Sequence, residues 1–215
     1  MNYTALRIVS EVFKMQTTNS KVTMLTVTAV LSAIVAVISF IPLKTMGLEI
    51  TFSLVPIAVG AILYGPGVGA TLGAVFGVVS FIQCFGYSPF GALILGENPS
   101  SAFFVCVPTR ILVGMITGMV SKSMSKGGKT LNELKYIVCS LLAPVLNTAF
   151  FMSALVYFFY NGDTIQYFVN ALGAANPFTF IFMFVGINGL VEIIAGFIIA
   201  YPVSRGAVRG LRRFL

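Results

Sequence analysis

Four hydrophilic side chains stand inside long apolar stretches of this 215-residue chain. Arg110 lies in FFVCVPTRILVG, Asn147 in APVLNTAFF, and Asn188 and Glu192 in GINGLVEIIAG. An ionisable group at bilayer depth costs about 2.5 to 3.5 kcal/mol on insertion scales, so its presence calls for a function or a partner. Asn188 and Glu192 are four residues apart and therefore share one helix face. Arginine binds a carboxylate through two parallel N–H bonds, and the amides can donate to or accept from hydroxyl and amide groups. Gln83 and Asn98 join the set near the ends of their segments. Two arrangements are open. Arg110 and Glu192 can neutralise each other as an internal ion pair with amide partners. Alternatively the residues line a polar pocket in which Arg110 holds an anionic ligand group, most naturally a carboxylate. Glu192 then orients Arg110 or meets a ligand donor.

The same inventory argues against catalysis. One Glu, one Arg and two Asn supply neither paired carboxylates nor an activated nucleophile. The chain has no histidine, so a His-dependent triad is excluded. Cys84, Cys106 and Cys139 sit in apolar runs without CxxC spacing, which points to packing as small hydrophobes and not to a soft-metal site. No metal or cofactor is expected. No GxxxxGK[ST] phosphate loop is present, so ATP-driven work would need another subunit.

The elements that must position these residues follow from composition. Hydrophobic residues make up 58% of the chain and charged residues 9%, against roughly a quarter charged in a soluble domain. Mean hydropathy is +0.99. A lipid bilayer is the solvent that such a surface fits. The net charge of +7 flanks the apolar runs and forms no patch interleaved with aromatics, so nucleic acid is not expected as a partner. The first twenty residues lack a small-residue cleavage site, and the first apolar run is expected to be retained as a span.

A span needs about 20 apolar residues, and six candidates appear: Val22 to Ile41, Thr51 to Tyr64, Pro66 to Phe85, Ser101 to Val120, Tyr136 to Phe159, and Phe178 to Tyr201. The second is short enough to be a tilted, partly buried or re-entrant helix. Positive residues favour the cytoplasmic side. They gather before the first span (Arg7, Lys14, Lys21), between the fourth and fifth (Lys122, Lys126, Lys129, Lys135) and after the sixth (Arg205, Arg209, Arg212, Arg213). The alternate connections hold Lys44, Glu97 and Asp163. The expected fold is therefore an all-α membrane protein, a single bundle of six transmembrane helices with both termini cytoplasmic. Residues 1–21 form a cytoplasmic segment, 22–205 the membrane domain and 206–215 a basic tail. The apolar, turn-rich stretch Gly86 to Ser100 is expected to pack over the bundle as a lid on a cavity.

Small residues at intervals of four mark close helix contacts in membranes. Gly69, Gly73 and Gly77 form one such run, and Gly114 and Gly118 another; both are expected to pack within the bundle. Ala29 with Ala33, and Ser32 with Ala36, mark a face of the first span that can pack internally or dock a second membrane protein.

These residues resemble a known family. The Ala29-Val30-Leu31-Ser32-Ala33 motif, the VPIAVGAILYGPGVGATLGAVFGVVSF stretch, NPSSAFFVCVPTRILVGMITG, LNTAFF and INGLVEIIAGFI are similar to the substrate-binding S components of energy-coupling-factor (ECF) vitamin transporters. The likeness runs from about Thr23 to Val208, and Met1 to Ser20 is an extension beyond it. The Asn-Pro…Pro-x-Arg and Asn-Gly-x-x-Glu elements are most similar to the pantothenate-type branch; riboflavin and folate S components share the architecture. The resemblance implies a multi-pass protein of the cell membrane that captures a vitamin in its outer half. Arg110, Asn147, Asn188, Glu192, Asn98 and Gln83 are then the substrate-binding set. The first-span face of Ala29, Ala33, Ser32 and Ala36 then docks on a membrane coupling (T) subunit, and two cytoplasmic ATPases power release by toppling of the S component. A stand-alone secondary carrier, with Glu192 as its ion relay, is the alternative from another class.

Overall fold

The computed structural model describes the backbone of residues 3–41, 43–45, 48–50 and 52–211, with side chains over 21–41, 52–128, 130–186, 189–194, 196–207 and at 210. The side chain of Asn188 therefore lies outside the described residues, as do those of Arg7, Lys14, Lys44, Lys129, Arg209, Arg212 and Arg213.

Eight helices carry the described chain: α1 (Tyr3–Ser39), α2 (Leu54–Tyr64), α3 (Pro66–Gln83), α4 (Pro89–Glu97), α5 (Pro99–Lys126), α6 (Lys129–Phe159), α7 (Asp163–Leu172) and α8 (Pro177–Leu211). Two short strands, β1 (Leu43–Thr45) and β2 (Leu48–Ile50), form an antiparallel hairpin between α1 and α2. Among the described residues, five stretches are long and apolar enough to cross a membrane: Lys21–Ser39, Pro66–Gln83, Pro99–Lys126, Thr130–Phe159 and Gly189–Ala207. A sixth arises if α7 and Pro177–Gly186, bent by 77°, count as one broken span. The bundle is all-helical in its membrane part, as the sequence predicts.

The expected second span becomes α2, and its nature differs from a simple crossing. Every residue from Leu54 to Ile62 is buried. At 11 residues it is about 16 Å long, roughly half the hydrocarbon thickness. A helix apolar on all sides must be wrapped on all sides, and α1, α3, α5, α6 and α8 all touch it. Ile57, Leu72, Phe76 and Val35 pack into the cluster built around it.

Glycines bring the backbones of α3 and α5 into close contact. A Cβ added at Gly69 would strike the carbonyl of Gly114, and one at Gly73 the carbonyl of Arg110. At Gly77 it would stand 2.8 Å from Val107 Cα, and at Gly118 2.5 Å from Pro66 Cα. Partners advance in one direction on α3 and in the other on α5, so the helices are antiparallel. Both glycine runs therefore pack against each other inside the bundle, where small residues let backbones approach.

The charges sort by end. Glu133, Lys135 and Arg205 meet at one end, where Arg205 pairs with Glu133 at 3.0 Å and Lys135 donates to Ser125 at 2.9 Å. Glu97 lies at the opposite end, against Gly162 in the α6–α7 turn. The charge bias of the sequence assigns the first of these ends to the cytoplasm.

At the outer end, the expected loop at 86–100 contains a helix. Ser88 caps α4 by accepting from Gly91 N at 3.2 Å, and Pro89 occupies the first turn, where its missing N–H is harmless. Phe90, Gly91 and Ile94 are buried beneath it. The fifth connection likewise holds α7, with Ile165 and Val169 buried and Gly173 closing it at φ 65°.

Candidate binding site

Arg110 occupies the middle of α5 with only 8% of its surface exposed. The side chain turns back toward the start of its own helix, the direction in which helical side chains lean. Nη1 donates to the carbonyls of Val105 and Cys106, each at 3.1 Å. Pro108 lies within this turn. It lacks the N–H that would meet the Phe104 carbonyl, and its ring crowds the preceding turn, which loosens the stretch where Arg110 finds its acceptors. The guanidinium carbon stands 4.9 Å from the Phe76 ring centroid on α3 and 5.2 Å from that of Phe151 on α6.

Those contacts hold the cation without neutralising it. Two charge-assisted hydrogen bonds contribute about 1.5 to 3 kcal/mol each, and each ring face about 0.5 to 2 kcal/mol. Together they offset the insertion cost of placing a charge in the membrane. Yet Nε is buried without a partner, and no carboxylate among the described residues pairs with the guanidinium. The arrangement is a fixed positive charge with donor capacity left over, which suits an anion in the plane of the guanidinium.

Asn147 is buried on α6, one turn before Phe151, and so shares its face. Glu192 is half-buried on α8. The heights of α6 and α8 can be matched, because a Cβ at Gly196 would lie 3.6 Å from the Pro144 ring. Asn147 is three residues from Pro144 and Glu192 four residues from Gly196, both in the outward direction. The two therefore stand at about the same depth.

The sixth expected span is continuous in sequence but broken in structure. Gly186 has φ 38° and ψ −131°, outside helical values, within α8. Only glycine adopts that conformation without strain. Irregular backbone at membrane depth persists only where protein or an aqueous cavity surrounds it, and Asn188 follows two residues later. Sequence reasoning passed over this break; the signal was the pair of glycines in Gly186-Ile187-Asn188-Gly189. It also missed Phe76 and Phe151, whose role depends on where Arg110 folds. A cluster of rings from three helices was missed too: Phe90 of α4, Phe168 of α7, and Phe180 and Phe184 of α8, with centroids 5.0 to 5.8 Å apart.

Gln83 and Asn98 stand apart from Arg110 in their bonding. Gln83 is buried and donates from Nε2 to the carbonyl of Ser39, at the end of α1. Ser39 in turn shares a hydrogen with Ser53 at 2.7 Å. Asn98 is exposed and caps α5 by accepting from Ser101 N at 3.1 Å. On α1, Ala29 and Ala33 are exposed and Ser32 and Ala36 half-buried, while Val22, Leu25, Val30, Ile34 and Val37 are also exposed.

Comparison with known proteins agrees with this architecture. The family described as "ECF transporter, substrate-specific component" matches residues 23–204. A search of curated proteins returns no match. Among solved structures, ThiT of Listeria monocytogenes superposes with a TM-score of 0.64 at 18% identity, covering 88% of this chain and 97% of that one. At that identity the likeness speaks for the fold. Five to six helices long and apolar enough to cross a membrane agree with a family match over most of the length: this chain belongs to the ECF transporter substrate-specific components, multi-pass cell-membrane proteins that serve transport and are not enzymes.

Proposed function

We propose that the chain captures a small anionic vitamin of the pantothenate type from outside the cell for ATP-driven uptake. The observation that carries this reading is Arg110, buried, held by carbonyls and ring faces, and left with an unpartnered Nε. Arg110 binds the carboxylate, while Asn147, Asn188 and Glu192 meet the amide and hydroxyl groups. Gln83 and Asn98 act at the rim, Gln83 through the end of α1 and Asn98 through the start of α5. Helices α4 and α7 cover the outer end.

The exposed apolar face of α1 around Ala29 and Ala33 docks on a membrane coupling subunit, with Ser32 and Ala36 at its edge, and two ATPases drive release. Residues 1–21 and 206–215 lie on the cytoplasmic side of the 22–205 membrane domain. Docking by this face is supported by its exposure and by side chains small enough for close backbone approach.

Calorimetric titration of the purified chain with pantothenate, riboflavin and folate tests the reading. Pantothenate binds, and Arg110→Ala weakens it tenfold or more, the equivalent of a charge-assisted hydrogen bond of about 1.5 to 3 kcal/mol. Unchanged affinity in Arg110→Ala removes Arg110 from the site. Binding of riboflavin or folate in place of pantothenate moves the chain to another vitamin.

A further inference from the structure

Two thiols meet in the outer half of the bundle. Cys84 closes the C-terminal end of α3, and Cys106 lies on α5 four residues before Arg110. Both are buried and unoxidised, and their Sγ atoms are 3.9 Å apart. Cys84 Sγ also donates to the Ser80 carbonyl at 3.3 Å. Gly91 of α4 presses on Cys84, since a Cβ there would stand 2.9 Å from its Sγ. The third cysteine, Cys139, is on α6 and donates to the Thr117 carbonyl at 3.7 Å, in a separate cluster.

Closing a disulfide of about 2.05 Å requires each sulfur to move roughly 1 Å. Cys106 is held in mid-helix. Cys84 is better able to shift, because it begins the turn through Phe85, Gly86 and Tyr87, all exposed. We propose that Cys84 and Cys106 form an oxidisable dithiol, a modification site whose oxidant is a small uncharged peroxide able to enter an apolar interior. One sulfur attacks the peroxide: an S–O bond forms, the O–O bond breaks, and water leaves behind a sulfenic acid. The second sulfur attacks the first: the S–S bond forms, the S–O bond breaks, and a second water leaves. The two thiols together lose two electrons and two protons, and hydrogen peroxide is reduced to two waters.

The product ties the outer end of α3 to the turn of α5 whose Cys106 carbonyl holds Arg110. The inference rests on the thiol geometry and is independent of which ligand Arg110 binds.

The test uses the full-length chain in lipid nanodiscs, exposed to hydrogen peroxide, denatured, alkylated with a maleimide and weighed intact. Two of the three thiols become unreactive, the chain loses two hydrogens, and dithiothreitol restores it. Peptide mapping joins Cys84 to Cys106 and finds Cys139 alkylated. Cys139→Ser behaves like the unaltered chain, and Cys84→Ser gives no internal link. Three alkylated thiols after peroxide that fully oxidises an exposed-thiol control overturn the proposal. So do sulfinic acid without a cross-link and a link through Cys139. The unaltered chain alone decides the matter, so a variant that fails to fold leaves the test intact.

Discussion

The carbonyl of Arg110 lies directly against Gly73, so the residue that carries the buried cation also forms the floor on which α3 rests. Phe76, three residues along α3, then falls over the guanidinium at 4.9 Å. The glycine ladder and the candidate site are one construction: the close approach of two backbones brings a ring within reach of the charge.

Gly73→Ala tests the ladder. Alanine gains about 1 kcal/mol of helix propensity over glycine. The new methyl must push α3 off the α5 backbone, at about 1 to 3 kcal/mol, and backbone cannot swing aside as a side chain can. The melting midpoint of Gly73→Ala falls. At Gly67, on the same helix, an added Cβ meets nothing within 4 Å, so Gly67→Ala melts at the same temperature or higher. A fall at both positions, or at neither, contradicts the packing account.

Phe151→Leu separates ring electrostatics from bulk. Leucine is smaller than phenylalanine and leaves some space, but Phe151 is only half-buried, so the chain still folds. It loses one ring face over Arg110, worth about 0.5 to 2 kcal/mol. Titration with the ligand that the vitamin panel identifies shows a several-fold weaker affinity. Equal affinity would mean that the ring serves packing alone.

Ala33→Leu addresses docking. The residue is exposed on α1, whereas Arg110 is buried on α5, so ligand binding stays unchanged. The larger side chain keeps a neighbouring helix from close approach. ATP-dependent uptake in a reconstituted complex is lost while binding to the isolated chain remains. Loss of both activities, or of neither, counts against this face as the docking surface.

The Arg205–Glu133 pair sets an expectation in the other direction. It is well formed at 3.0 Å but 38% and 57% exposed. Exposed pairs contribute about 0.2 to 1 kcal/mol. A double-mutant cycle of Arg205→Ala and Glu133→Ala, read by thermal unfolding, gives a coupling energy no larger than this and smaller still at high salt. A coupling of several kcal/mol would show that the pair organises the cytoplasmic end.

Class and most of the spans were legible because lipid imposes simple demands on a chain. Apolar runs must be long enough to cross, and positive charge stays on one side. The residue types at Arg110 and Asn147 marked the candidate site for the same reason, since hydrocarbon makes a polar group conspicuous. Spacing also predicted that the glycines pack, though not that Gly69 meets Gly114 and Gly73 meets Arg110. Helices α4 and α7 were hidden within connections, because their apolar residues have neighbours only once the bundle ends are assembled.

Sequence by itself determined that Arg110 would be buried among apolar helices, because its flanking residues leave it no aqueous surface. Tertiary structure alone decided what it would meet there. The register between α3 and α5 brought in Phe76, and the approach of α6 brought in Phe151. The same register set Cys84 beside Cys106, and the break at Gly186 interrupted a span that hydropathy reads as continuous. Hydropathy is a sum over neighbours in the chain, whereas pairing depends on which surfaces fit once every helix is packed.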